Sequence, residues 1–60
     1  MTAGEIVRLA KKNGCELVRH GSNHDIWKNP KTGGQTAIPR HQSQDISKGL
    51  AKRILSDLGL

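Results

Sequence analysis

Gly21-Ser22-Asn23-His24-Asp25-Ile26-Trp27-Lys28 sets turn chemistry directly against the entry to a strand. Gly and Asn both tolerate positive φ, so Gly21-Ser22-Asn23 predicts a reversal. Ile26 and Trp27 predict a strand over His24 to Lys28. On the N-terminal side, Leu17 and Val18 predict a strand over Cys15 to His20, although alternation there is not clean. On the C-terminal side, Asn29-Pro30-Lys31-Thr32-Gly33-Gly34 has the Pro and paired Gly of a loop between antiparallel neighbours. Gln35 to Ile38 predicts a short third strand, ended by Pro39, which cannot donate to a ladder. Three short strands joined by small loops imply a meander.

Helices flank the meander. Thr2 and Glu5 have capping-box spacing, in which each side chain satisfies a free backbone N–H. Ile6, Val7, Leu9 and Ala10 fall on one helical face with Arg8, Lys11 and Lys12 opposite, so a first helix is predicted from Ala3 to Asn13. Gly14 supplies the left-handed stop, and Cys15 the apolar residue that folds back. Near the other end Ser43 is the predicted N-cap, with Asp45 in the first turn. Ile46, Leu50, Ile54 and Leu58 follow at steps of four, widened by Leu55, up to a stop at Gly59. Gly49 inside this helix costs about 1 kcal/mol relative to Ala. Either a close helix–sheet approach or a turn lying near a bound phosphate would explain it. The order is α-β-β-β-α. Two amphipathic helices cannot cover three half-apolar strands by packing only on each other. An α+β arrangement is therefore expected, with both helices on one face of a three-stranded antiparallel sheet, the layout of the double-stranded-RNA-binding fold.

Composition narrows the partner. Sixty residues form one small domain spanning 1–60, which at this size buries only roughly 60% of the surface its unfolded chain exposes. Ten Lys and Arg against five Asp and Glu give a net charge of +5. A small basic domain favours a polyanion, nucleic acid above all. Trp27 is the sole aromatic residue, so contacts to phosphate and sugar are expected rather than a platform of base-stacking rings. One cysteine, Cys15, permits no internal disulfide and fits a reducing compartment. The opening Met-Thr-Ala-Gly-Glu lacks an apolar signal core, so a cytoplasmic location without membrane attachment is expected.

Three separated pieces then carry a resemblance. Gly21-Ser22-Asn23-His24, Pro39-Arg40-His41, and Asp45-Ile46 with a closing Ile54-Leu55 through Gly59-Leu60 are similar to the HicA toxin family of bacterial toxin–antitoxin systems. The resemblance spans nearly the whole chain. It implies an mRNA interferase with a double-stranded-RNA-binding-like fold, one essential histidine and an antitoxin called HicB that masks it. The family's catalytic histidine falls on His24. Family members often have a second histidine where this chain has Asn23, and many have an aromatic residue at the position of Cys15.

The chemistry that this implies needs few groups. RNA carries its own nucleophile, the 2′-hydroxyl, beside each phosphodiester. Imidazole suits proton transfer near neutral pH, so His24 is the candidate general base or acid, with no metal or other cofactor. Lys28 or Arg40 is the candidate for neutralising charge on the phosphoryl oxygens. Ser22, His41, Lys48 and Lys52 complete the candidate RNA contacts, the two lysines by analogy with last-helix cations that meet phosphates in folds of this layout.

Each residue has a plainer reading beside it. A histidine after a turn is often a surface residue with a local hydrogen bond. Strict alternation also sets His24 on the face of Ile26, which a core-facing strand would bury unless a bulge re-aimed it. Ser22 can simply close its turn, Pro39-Arg40-His41 can simply end a strand, and Trp27 fits packing better than stacking. His20 and His24 lack a Cys pair or carboxylate cluster to complete a zinc set. The competing function is a double-stranded-RNA-binding module that cuts nothing. A third is a DNA-binding partner in a repressor complex, where DNA would be met only through the antitoxin.

Overall fold

A computed structural model describes all residues, 1–60. The elements are α1 (Ala3–Lys12), β1 (Glu16–His20), β2 (His24–Lys28), β3 (Gln35–Pro39) and α2 (Lys48–Asp57). The strands form one antiparallel sheet in the order β1-β2-β3. This is the expected α-β-β-β-α frame. Pro39 is the last residue of β3 rather than the first beyond it, and it pairs with His24 on an edge strand where no donor is required.

Trp27 decides which way the sheet faces. It pairs with Thr36, and Asp25 pairs with Ile38, so these four share a face. Trp27 and Ile38 are buried with Ala3, Ile6 and Ala10 of α1 and Ala51, Ile54 and Leu58 of the C-terminal region. Both helices therefore lie on that face, centred over β3, and they touch one another. β1 lies outside their cover, and all five of its residues are exposed. The other face of the sheet, holding His24, Ile26 and Lys28, has no helix on it.

α1 begins as its sequence dictates. Thr2 Oγ1 accepts from the Glu5 N–H at 3.2 Å, and Glu5 Oε1 accepts from the Thr2 N–H at 2.8 Å. Gly14 follows the helix at φ 82°, and the Cys15 N–H turns back to the Ala10 carbonyl at 2.9 Å.

α2 starts later than Ser43 and Asp45 suggest. Ser47 is the N-cap, its Oγ accepting from the Leu50 N–H at 3.3 Å. The preceding segment is claimed by α1: the Ala3 and Gly4 N–H groups donate to the Gln44 and Gln42 carbonyls, both at 2.9 Å. Asp45 bridges to Thr2, and the Ile46 N–H donates to the Met1 carbonyl at 2.7 Å. Orphan donors of one helix end thus hold residues 42–46, a turn at Gln42-Ser43 followed by the Asp45 bridge, outside any helix and postpone the next one. The apolar stripe shifts with it. Ile46 is buried ahead of the helix, Ala51, Ile54 and Leu58 carry the buried face, and Leu50 is 46% exposed. Gly49 has nothing within 4 Å of where a Cβ would stand, so no close helix–sheet approach explains it.

The β2–β3 loop is anchored to the far end of α2. Asn29 is buried, its Nδ2 donates to the Leu58 carbonyl at 2.7 Å, and its Oδ1 accepts from the Lys31 N–H at 3.0 Å. Gly34 allows the contact, since a Cβ there would lie 2.1 Å from the Asp57 carbonyl oxygen.

Candidate functional site

The β1–β2 turn is built around two close approaches. The Gly21 N–H donates to the His24 carbonyl at 2.7 Å, and a Cβ on Gly21 would meet that same oxygen at 2.7 Å. A side chain at this position would push the turn open. Arg40 clamps it from just beyond β3: its backbone N–H donates to the Asn23 carbonyl at 3.2 Å, and its Nη2 donates to the Gly21 carbonyl. Arg40 Nε also donates to Asp25 Oδ1 at 3.1 Å, and His20 Nδ1 lies 2.8 Å from the same oxygen. Asp25 thereby links three segments. Its side chain is 16% exposed, and the His20 hydrogen bond first, then Arg40, holds its carboxyl below the ordinary value of 3.8 against the opposing effect of desolvation.

His24 opens β2 with its side chain exposed. It shares a face with Ile26 as alternation requires, but that face is the helix-free one, because Trp27 takes the core. No bulge beside the turn is needed to bring it out. Its neighbours across the sheet are Pro39 on β3 and Gly21 in the turn, neither with a polar side chain. The imidazole has no hydrogen bond or ion pair within the protein. The arrangement leaves both ring nitrogens available to a ligand, which is what a proton-transfer group needs.

The other candidate residues separate into three places. Lys28 is exposed on the face of His24, four residues along β2, about 13 Å away at the strand rise of about 3.3 Å per residue. Ser22, Arg40 and His41 come together around an open groove of about 580 Å³, with Asn23, Gln42 and Gln44 completing its lining. Lys48 and Lys52 are exposed on α2. Arg40 follows Pro39, the partner of His24, but its guanidinium is already engaged by Asp25 and the Gly21 carbonyl. Its guanidinium is turned to Asp25 on the helix side of the sheet, and it positions the turn that carries His24. His20 and His24 face opposite sides of the sheet, and no group of three or more His, Cys, Asp or Glu converges as a metal would require.

Asp25 and the groove glutamines Gln42 and Gln44 are not legible as site residues in the sequence. Asp25 lies between His24 and Ile26, where a carboxylate in a basic chain suggests only a solvated residue; its partners come from β1 and from the residue just after β3. Asn23 signals a turn but no groove, and Gln42 and Gln44 carry no signal of their own, since amides are common in loops.

A model of the family described as the HicA toxin of bacterial toxin–antitoxin matches residues 3–60. No curated protein matches the chain.

Proposed function

The chain belongs to the HicA toxin family of bacterial toxin–antitoxin systems, and from that premise we propose that it is a metal-independent endoribonuclease that cuts mRNA at a site centred on His24. One observation carries the reading: an exposed, unpartnered imidazole stands at the head of β2 on a sheet face that the helices leave open, in a chain of net charge +5.

His24 accepts the proton of the 2′-hydroxyl or delivers one to the departing 5′ oxygen. The 2′ oxygen–phosphorus bond forms as the phosphorus–5′ oxygen bond breaks, leaving a 2′,3′-cyclic phosphate and a 5′-hydroxyl. A lone histidine supplies general acid–base catalysis of about 10²–10⁴-fold, which suits a slow toxin acting on every message. Lys28, further along the same face, meets a neighbouring phosphate. Ser22, His41 and the half-exposed Arg40 guide the strand past the turn, and Lys48 and Lys52 add phosphate contacts from α2. An antitoxin partner follows from membership of the family; we assign it the HicB type, covering His24.

Incubating purified protein with messenger RNA in excess chelator tests this. Cleavage that persists in chelator, disappears in His24→Ala and is abolished by the antitoxin is the expected result. A duplex-RNA-binding module would bind equally well with and without His24 and cut nothing. That outcome would overturn the proposal.

A further inference from the structure

The helix-free face carries one more cation, and an irregularity in β1 puts it there. Glu16 stands opposite Lys28 and Leu17 opposite Trp27; Val18 is then skipped, Arg19 stands opposite Ile26 and His20 opposite Asp25. Had the first register continued, Arg19 would face Asp25 and His20 would face His24. The extra residue exchanges the two side chains between faces. His20 goes to the helix side, where its Nδ1 meets Asp25 at 2.8 Å. Arg19 goes to the open face beside Ile26. The His20–Asp25 contact checks this independently, because successive side chains on a strand point to opposite faces.

Arg19 is the cation best placed to act with His24. Diagonal neighbours on one face of an antiparallel pair stand about 7–8 Å apart, within reach of a long side chain. The residue opposite His24 on this side is Gly21, whose N–H meets the His24 carbonyl, so Arg19, two residues earlier, is the diagonal neighbour. On the other side, Pro39 and Ala37 offer no charge. Lys28 is two steps further along the strand, and Arg40 is held by Asp25 and Gly21. The Arg19 guanidinium has no ion pair within the protein. Bulges gather beside active sites, where they re-aim a side chain.

We propose that Arg19 is the phosphate clamp of the His24 site, a role that rests on His24 being the proton-transfer group. Its forked donors bind the non-bridging oxygens of the scissile phosphate, a geometry that guanidinium matches. They neutralise the charge that builds while the 2′ oxygen attacks and the 5′ oxygen leaves. The Val18 bulge is then a functional feature of β1.

Single-turnover cleavage of a synthetic RNA by the wild type, R19A, R19K, R8A and H24A tests the clamp, with thermal unfolding of each variant alongside. Arg8 is an exposed cation on α1 that controls for net charge. R19A is expected to melt with the wild type yet cut on the order of 100-fold more slowly, the loss falling on kcat rather than KM. R19K, which keeps the charge, recovers at least threefold of that loss, and R8A stays within about threefold of the wild type. An inactive H24A with R19A no slower than R8A overturns the clamp and leaves the His24 reading standing, as does an R19K as slow as R19A. An H24A that cuts at the wild-type rate removes the His24 reading itself, and the clamp with it.

Discussion

Removing the side chain of Asn29 is the sharpest test of what holds this small domain together. Asn29 is 3% exposed. It donates to the Leu58 carbonyl at 2.7 Å and accepts from the Lys31 N–H at 3.0 Å. In Asn29→Ala the Leu58 carbonyl, at the C-cap of α2, loses its side-chain donor in a place closed to water. A buried polar group left unpaired costs about 1–3 kcal/mol, and the second, partly buried bond contributes about 0.5–1.5 kcal/mol. The expected loss is about 2–4 kcal/mol. A chain of this size has about 3–9 kcal/mol in all, so Asn29→Ala removes a large fraction of it. In thermal terms the midpoint falls by at least about 8 °C, since each kcal/mol shifts a domain of this size by about 4–8 °C. Asn29→Asp keeps the acceptor for Lys31 but turns a carboxylate oxygen towards the Leu58 carbonyl, so it should be at least as damaging. Urea denaturation of the two variants against the wild type measures both. An Asn29→Ala midpoint equivalent to a loss under about 0.5 kcal/mol would refute the idea that this side chain fastens the β2–β3 loop to α2.

Two further expectations follow from charge and burial. Folding favours the ionised form of Asp25, whose carboxyl is held below its ordinary 3.8 by His20 and then Arg40, so its contribution is complete above that value and is lost as pH falls through and below it. Asp25→Asn should therefore be less stable than the wild type at pH 5, with the gap narrowing towards pH 2.5 in urea melts; curves that stay parallel would refute this. Glu5, held low by the Thr2 backbone and side-chain hydrogen bonds, loses its contribution over a similar acid range and accounts for the slope that remains in Asp25→Asn. Burial pushes the Cys15 thiol up, so Cys15 should react with an aromatic disulfide reagent only as fast as the fold opens, and urea should speed it by orders of magnitude. A native rate matching that of a free thiol would contradict its place in the core.

What the sequence made legible was local. The Thr2–Glu5 box, the three strand positions and the left-handed stops are set by residues within a few positions of each other, and each was found within a residue or two. The start of α2 was not. Ser43 and Asp45 look like a helix entry, but the Gln42 and Gln44 carbonyls serve donors on α1 some forty residues away in the chain. Local spacing carries no trace of that competition. The outward face of His24 was half legible. Alternation paired it correctly with Ile26, and the bulk of Trp27 could have identified the opposite face as the core. Arg40 illustrates the remaining difficulty. Its charge pointed to phosphate, whereas its nearest anion is Asp25, brought beside it by strand pairing. The β1 bulge follows from no residue type at all: Val18 is an ordinary strand former, and only the pairing shows that it is the extra residue.

His24 is proposed to perform proton transfer in RNA cleavage. The most direct measurement is the single-turnover cleavage rate of His24→Ala relative to the wild type in excess chelator, on a defined RNA with its product ends identified. The exposed position of His24 means the variant should melt with the wild type. A rate at least about 100-fold lower is expected, with wild-type products ending in 2′,3′-cyclic phosphate and 5′-hydroxyl. Cleavage by His24→Ala within threefold of the wild type would contradict it.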